Sequence, residues 1–194
     1  MLRLVCLLLL VSLPFSDMRA QDTSHAARAA TAVERISGNG PAFFAIHAQG
    51  FVRATPQQAW RVLTDYERLP EFVPHLRVST ILSRNGHEVL LEQETQTGFV
   101  FISQTIRMQL KVTERPQSGI LVRMVSGDLR SYQAEWELTP AIEEGAEGTR
   151  VSYKGSMEPD FFLPPLVGES LVRKDVDQMV EAVMREIERQ AQMQ

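Results

Sequence analysis

The sequence predicts an α+β protein in which an antiparallel sheet, built as a meander of consecutive strands, is followed by one long C-terminal helix. Three observations carry this. Six strand-like segments follow one another between residues 77 and 158, short stretches of turn chemistry separate most of them, and the chain ends on apolar residues spaced at three and four.

The chain opens with Met1, Leu2 and Arg3, runs through an apolar stretch over 4–13, and reaches Pro14 before the small residue Ala20. That order of a basic start, an apolar middle and a small-residue end is the order of a secretory signal. Residues 1–20 are therefore expected to be a signal peptide cleaved after Ala20, its apolar part too short for a membrane span of about 20 residues, with retention as an uncleaved anchor as the alternative because Met18 is a poor residue two places before Ala20. The mature protein is expected outside the cytoplasm, in a periplasm or secreted. Residues 21–40 read as a leader, rich in Ala, Ser, Thr and Gln in its first part. Within it, 33–36 has the look of a short strand before Asn39-Gly40, a pair that favours a tight hairpin turn. One domain is expected over 41–194.

In that domain 43–54 is strand-like, and Pro56 to Leu63 reads as a helix with Thr55 able to cap it and Pro56 at its first position. Residues 65–72 suit a second short helix, and Pro70 and Pro74 bend the chain after it. The strands of the meander fall at 77–83, 88–97, 100–114, 119–126, 129–139 and 149–158. Asn85-Gly86, the stretch 115–119, Ser126-Gly127-Asp128 and Glu143-Glu144-Gly145 supply turns, and connections this short favour antiparallel neighbours. Phe161 and Phe162, with Pro164 and Pro165, halt the last strand. Val172, Val176, Met179, Val180, Val183 and Ile187 then mark one face of a helix of about 24 residues, about 36 Å long.

Alternation assigns the faces of the strands. Val100, Ile102, Ile106, Met108, Leu110 and Val112 fall on one side, with Ser103, Thr105, Arg107, Gln109 and Lys111 on the other. Tyr132, Ala134, Trp136 and Leu138 point inward on the same logic, as do Val151, Tyr153 and Met157. Glu92, Glu94, Arg107, Arg123, Glu135 and Arg150 fall on the outer face, where mixed charges serve solubility.

Composition narrows function by exclusion. Removing Arg3, Asp17 and Arg19 with the signal leaves 18 basic and 23 acidic residues, a net charge of −5, which lacks the concentrated basic face that nucleic acid requires. The single cysteine, Cys6, lies in the signal, so the mature chain has no disulfide and no thiol nucleophile. His25, His47, His75 and His87 are scattered without metal-ligand spacing, and neither a nucleophile elbow nor a phosphate loop occurs. Neither a metal nor a cofactor is expected. His75 alone sits on a proline-bounded loop that could rim a cavity.

The informative residues are polar ones on apolar faces, because an unpartnered buried amide costs about 1–3 kcal/mol. Gln104 lies on the inward face of its strand and Gln93 on the adjoining one. Each either meets a ligand or satisfies the backbone or water. Met108, Tyr132, Trp136, Tyr153, Phe162 and Met179 are read first as core and second as the lining of an adaptable apolar pocket. These eight residues form the candidate ligand site, with no catalytic residue among them.

The run LTDYERLPEFVPHL over 63–76, following Trp60, together with Gly127-Asp128, Arg130, Trp136, Tyr153 and the break at Pro164-Pro165, resembles the polyketide cyclase/dehydrase and coenzyme Q-binding branch of the START-like (SRPBCC) superfamily over roughly residues 43–190. It departs from relatives at Ala134, where glycine commonly precedes the aromatic strand residue. The resemblance implies a helix-grip fold, a curved antiparallel sheet wrapped around the C-terminal helix. It also implies a cavity between them for lipids, quinones or polyketides. The expected function is a non-catalytic binding or carrier protein for a small hydrophobic ligand, with transient membrane-surface contact as an accompaniment. A cyclase or dehydratase using Gln104, Tyr132 or Tyr153 is the enzymatic alternative. A protein-binding role for the outer sheet face is a third reading, and oligomeric state has no signal.

Overall fold

Thr55 begins the first helix as its sequence suggests: its hydroxyl accepts from the Gln58 backbone, and the Gln58 side chain accepts from the Thr55 backbone at 2.9 Å, a reciprocal cap. In the computed structural model, which describes residues 28–36, 42–99, 102–161 and 168–193, this helix is α1 (Pro56–Leu63). It follows strands β1 (Ala30–Ile36) and β2 (Phe43–Val52). The expected second helix divides into a 3-10 turn, Tyr66–Arg68, and α2, Leu69–Phe72. Asp65 makes no capping bond there and pairs with Arg68 at 3.3 Å.

The meander comprises β3 (Leu76–Asn85), β4 (Glu88–Phe99), β5 (Ile102–Arg115), β6 (Gly119–Gly127), β7 (Leu129–Glu143) and β8 (Ala146–Pro159), and α3 (Gly168–Ala191) closes the chain. The six expected strands and the 24-residue helix are all present, with strand ends displaced by a few residues. All eight strands form one antiparallel sheet in the order β1-β2-β8-β7-β6-β5-β4-β3. Sequence order therefore holds from β3 to β8. β2 instead pairs with β8, Ile46 opposite Gly155 and Ala48 opposite Tyr153, so the segment containing α1 and α2 must carry the chain from β2 to the far edge.

The leader boundary needs correction. Residues 30–36 lie within the segment assigned to the leader, yet they form the edge strand β1, with Val33 opposite Ile46 and buried. An edge strand with one buried side chain has little apolar alternation to display, which is why only 33–36 stood out. The export signal and the Asn39-Gly40 turn lie outside the described residues.

The helix α3 packs closely against β1, β2, α1 and α2. Val172, Val176, Val180, Val183 and Ile187 are buried as their spacing requires, and Met184 joins them. Glu186 is buried too, and it is held by Arg189 at 2.6 Å and by Gln190 at 2.8 Å. On the opposite side of the sheet the charges pair with one another: Glu94 with Arg107 at 2.8 Å, Glu88 with Lys111 at 2.7 Å and Glu137 with Lys154 at 3.0 Å. No described helix is long and apolar enough to cross a membrane.

Candidate functional site

Because α3 rests on β1 and β2, the inner faces of β4 to β7 stand off from its first half. The space between them is a cavity of about 260 Å³. Its floor is the inward row of each strand: Leu91 and Gln93 from β4, Ile106, Met108 and Leu110 from β5, Ile120 and Val122 from β6, and Tyr132 and Trp136 from β7, with Tyr153 and Met157 from β8. Its roof is Val172, Val176, Met179 and Val183 of α3. One wall is the 63–76 segment, which contributes Leu63, Tyr66, Leu69, Val73, Pro74, His75 and Leu76.

Strand parity accounts for most of the candidate residues. Gln93, Met108, Tyr132, Trp136, Tyr153 and Met179 all line this one cavity. Gln104 does not: it sits opposite Thr97, two residues into β5, and the cavity wall on β5 begins at Ile106. Phe162 lies outside the described residues. The Gln93 amide donates to Ser79 Oγ at 3.1 Å, so part of its polarity is satisfied within the sheet.

Two of the three tyrosines lining the cavity, Tyr132 and Tyr153, face each other. Tyr132 Oη and Tyr153 Oη are 3.4 Å apart, and Trp136 packs edge-on to Tyr153 with ring centroids 4.9 Å apart. Burial raises both phenols above their ordinary range, Tyr153 more strongly. At neutral pH both are protonated donors. Tyr66 is also raised, by burial first and then by the charge of Glu114, to which it donates at 3.0 Å.

Two ionisable groups at the cavity's other boundary carry more polarity. His75, in a left-handed backbone conformation with φ 66°, and Asp175 of α3 both line it and are both exposed on their outer sides. Partial burial raises the Asp175 carboxyl, opposed by the charges of His75 and Lys174. Sequence reading singled out His75 and missed Asp175. The signal was present, since Asp175 follows Val172 by three residues and precedes Met179 by four, on the apolar face. Glu114 was missed as well, although its even number places it on the inward face of β5; it is 5% exposed.

This arrangement supplies a mostly apolar chamber, one pair of neutral hydroxyl donors inside it, and a carboxylate and an imidazole at its rim. Among the described residues no group of three or more His, Cys, Asp and Glu side chains is placed to hold a metal ion.

Comparison with known proteins places this geometry. The family described as polyketide cyclase / dehydrase and lipid transport matches residues 52–184. No curated protein matches the chain. Among solved structures, the Zhui aromatase/cyclase from Streptomyces sp. R1128 superposes with a TM-score of 0.63 at 15% identity, covering 76% of this chain and 95% of its own. A START superfamily protein from Mycobacterium smegmatis gives 0.62 at 14%, covering 75% and 98%. A STAR-related lipid transfer protein from Xanthomonas axonopodis gives 0.59 at 13%, covering 81% and 98%. At these identities the likeness establishes the helix-grip fold, and family membership rests on the sequence match. With an eight-stranded sheet around a long closing helix and a match across most of the domain, the chain belongs to the polyketide cyclase / dehydrase and lipid transport family.

Proposed function

We propose that this is an exported binding or carrier protein that holds one lipid-, quinone- or polyketide-like molecule between the sheet and α3. The observation that carries the reading is the cavity itself: the rows facing it are almost wholly aliphatic, aromatic or methionine side chains, with a few polar groups among them, the usual composition of a small-molecule site. Shielding about 300 Å² of apolar ligand surface at roughly 25 cal/mol per Å² offers about 7 kcal/mol before association costs. No bond needs to be made or broken for that. The family and its structural neighbours include both lipid transfer proteins and cyclases, so the choice between them rests on the cavity's chemistry.

The enzymatic alternative, a cyclase or dehydratase, draws support from the Tyr132–Tyr153 pair. Acid–base turnover requires a proton acceptor as well as a donor. The phenols are held protonated, and the carboxylate and imidazole lining the cavity, Asp175 and His75, are exposed at its rim. Simple retention of a ligand makes no such demand.

Native mass spectrometry of gently purified protein is expected to show a retained organic molecule released on denaturation. Protein that is repeatedly empty and takes up no apolar compound would overturn the reading. Export rests on the order of regions in residues 1–20. It predicts that protein recovered from the periplasm or medium begins at Gln21; recovery of full-length chain from the cytoplasm would contradict it.

A further inference from the structure

We infer that Tyr132 and Tyr153 anchor a neutral oxygen acceptor of the bound molecule, so that the ligand is an apolar compound carrying a ketone, quinone or ester carbonyl inside the cavity. This rests on the binding reading above and goes on to name the ligand's chemistry.

The pair has an unspent donor. Two phenols bring two O–H protons, and the bond between them uses at most one. Among the described residues, the one hydrogen bond that either hydroxyl makes is to the other, at 3.4 Å. That is well beyond the 2.7–2.8 Å of a strong O–H···O bond. The mutual bond is therefore weak, and an incoming oxygen can take one proton or both. Leaving a donor unmatched in an apolar chamber is unfavourable, so a ligand oxygen placed there replaces what water would otherwise supply.

The position is built into the sheet. Tyr132 and Tyr153 stand on adjacent strands, with Ala134 opposite Gly155 between them. A Cβ on Gly155 would come within 2.7 Å of the Tyr153 hydroxyl. The absence of a side chain at 155 is what lets Tyr153 lie along the strand and present its hydroxyl towards Tyr132. Trp136, edge-on to the same ring, fixes it from the other side.

Charge selects a neutral head. Among the described cavity-lining residues there is neither a lysine nor an arginine, and the one carboxylate is Asp175. A carboxylate-headed ligand drawn fully inside, past the His75 imidazole and the Asp175 carboxyl at the rim, would leave its charge among phenols and apolar side chains with neither a lysine nor an arginine beside it, which is unfavourable. A carbonyl oxygen has no such difficulty and accepts from the phenols directly.

Three shape-matched probes test this: 2-acetylnaphthalene, 2-isopropylnaphthalene and 2-naphthoate, titrated into the wild-type protein and the double variant Tyr132→Phe/Tyr153→Phe. The ketone is expected to lose about 5- to 10-fold in affinity on the double variant, while the hydrocarbon binds the two proteins equally or prefers the variant. The infrared carbonyl band of the bound ketone is expected at lower frequency in the wild type than in the variant. Naphthoate is expected to bind more weakly than the ketone. Undiminished ketone binding in the variant, an unshifted carbonyl band, or naphthoate binding tighter than the ketone overturns the anchor while the hydrocarbon still reports an intact cavity. Should the double variant not fold, Gly155→Ala, which displaces the Tyr153 hydroxyl, is expected to weaken the ketone selectively, and equal loss of ketone and hydrocarbon would count against the anchor. Failure of all three probes to bind the wild type would instead overturn the binding reading beneath it.

Discussion

The hydroxyl of Tyr66 donates to the carboxylate of Glu114 at 3.0 Å, tying the wall segment between α1 and β3 to the end of β5, 48 residues away. Arg84 of β3 donates to both oxygens of the same carboxylate, at 2.9 and 3.0 Å, and its guanidinium lies 5.8 Å from the Tyr66 ring centroid. A buried carboxylate with two such partners holds the 63–76 wall in place. Glu114→Ala is expected to destabilise the fold by about 2–4 kcal/mol, because a buried phenol loses its acceptor and Arg84 its counter-ion. Tyr66→Phe is expected to cost less, about 1–2 kcal/mol, since Glu114 keeps Arg84. Urea unfolding midpoints measure both, and a Glu114→Ala variant as stable as the wild type would refute the role.

The chain's three tyrosines are Tyr66, Tyr132 and Tyr153, and all three are raised by burial. A group whose folded pKa is raised contributes stability that is complete below its unfolded value and is lost as pH rises towards the folded one. The unfolded value is about 10. Phenolate absorbance is therefore expected to stay flat while free tyrosine ionises near pH 10, then to rise together with the loss of far-UV circular dichroism. A smooth rise centred near 10 in protein that keeps its dichroism would show an accessible phenol and contradict the burial.

Gly50 of β2 sets how closely α3 approaches the sheet. A Cβ there would meet the Met184 methyl carbon at 2.4 Å and the Arg28 backbone oxygen at 2.7 Å. Met184 can give way, but the backbone oxygen cannot without moving the start of β1. Gly50→Ala is expected to lower stability by about 1–3 kcal/mol through overpacking, read as a lower urea midpoint with an unchanged slope. A neutral or stabilising result would mean that β1 is not held against β2 at that point.

How far the fold could be read from the sequence follows from how local each signal is. Thr55 and Pro56 mark the start of α1 in two adjacent residues, and Val172, Val176, Val180 and Val183 define α3 by spacing alone, so these elements were legible. The pairing of β2 with β8 was not, because Ile46 and Gly155 are more than 100 residues apart and no local pattern encodes a partner. Parity found the inner row of the cavity at Met108, Tyr132, Trp136 and Tyr153, yet it could not tell where along β5 the chamber ends. Gln104 therefore looked equivalent to Met108. Charge was the other blind spot: Asp175 and Glu114 sit at positions whose spacing or parity is apolar, and a charged residue there reads as surface until its partners are known.

Binding of an apolar molecule in the space between the sheet and α3 is the claim on which the proposed function stands. Val176 lines that space from α3, between Val172 and Met179, so a larger side chain there takes up cavity volume. Titrating an apolar fluorophore such as 2-isopropylnaphthalene into the wild type and into Val176→Trp, with folding checked by circular dichroism, tests the claim. The wild type is expected to bind one equivalent and the filled, folded variant to bind none. Equal binding by both proteins, or none by the wild type, would contradict the claim.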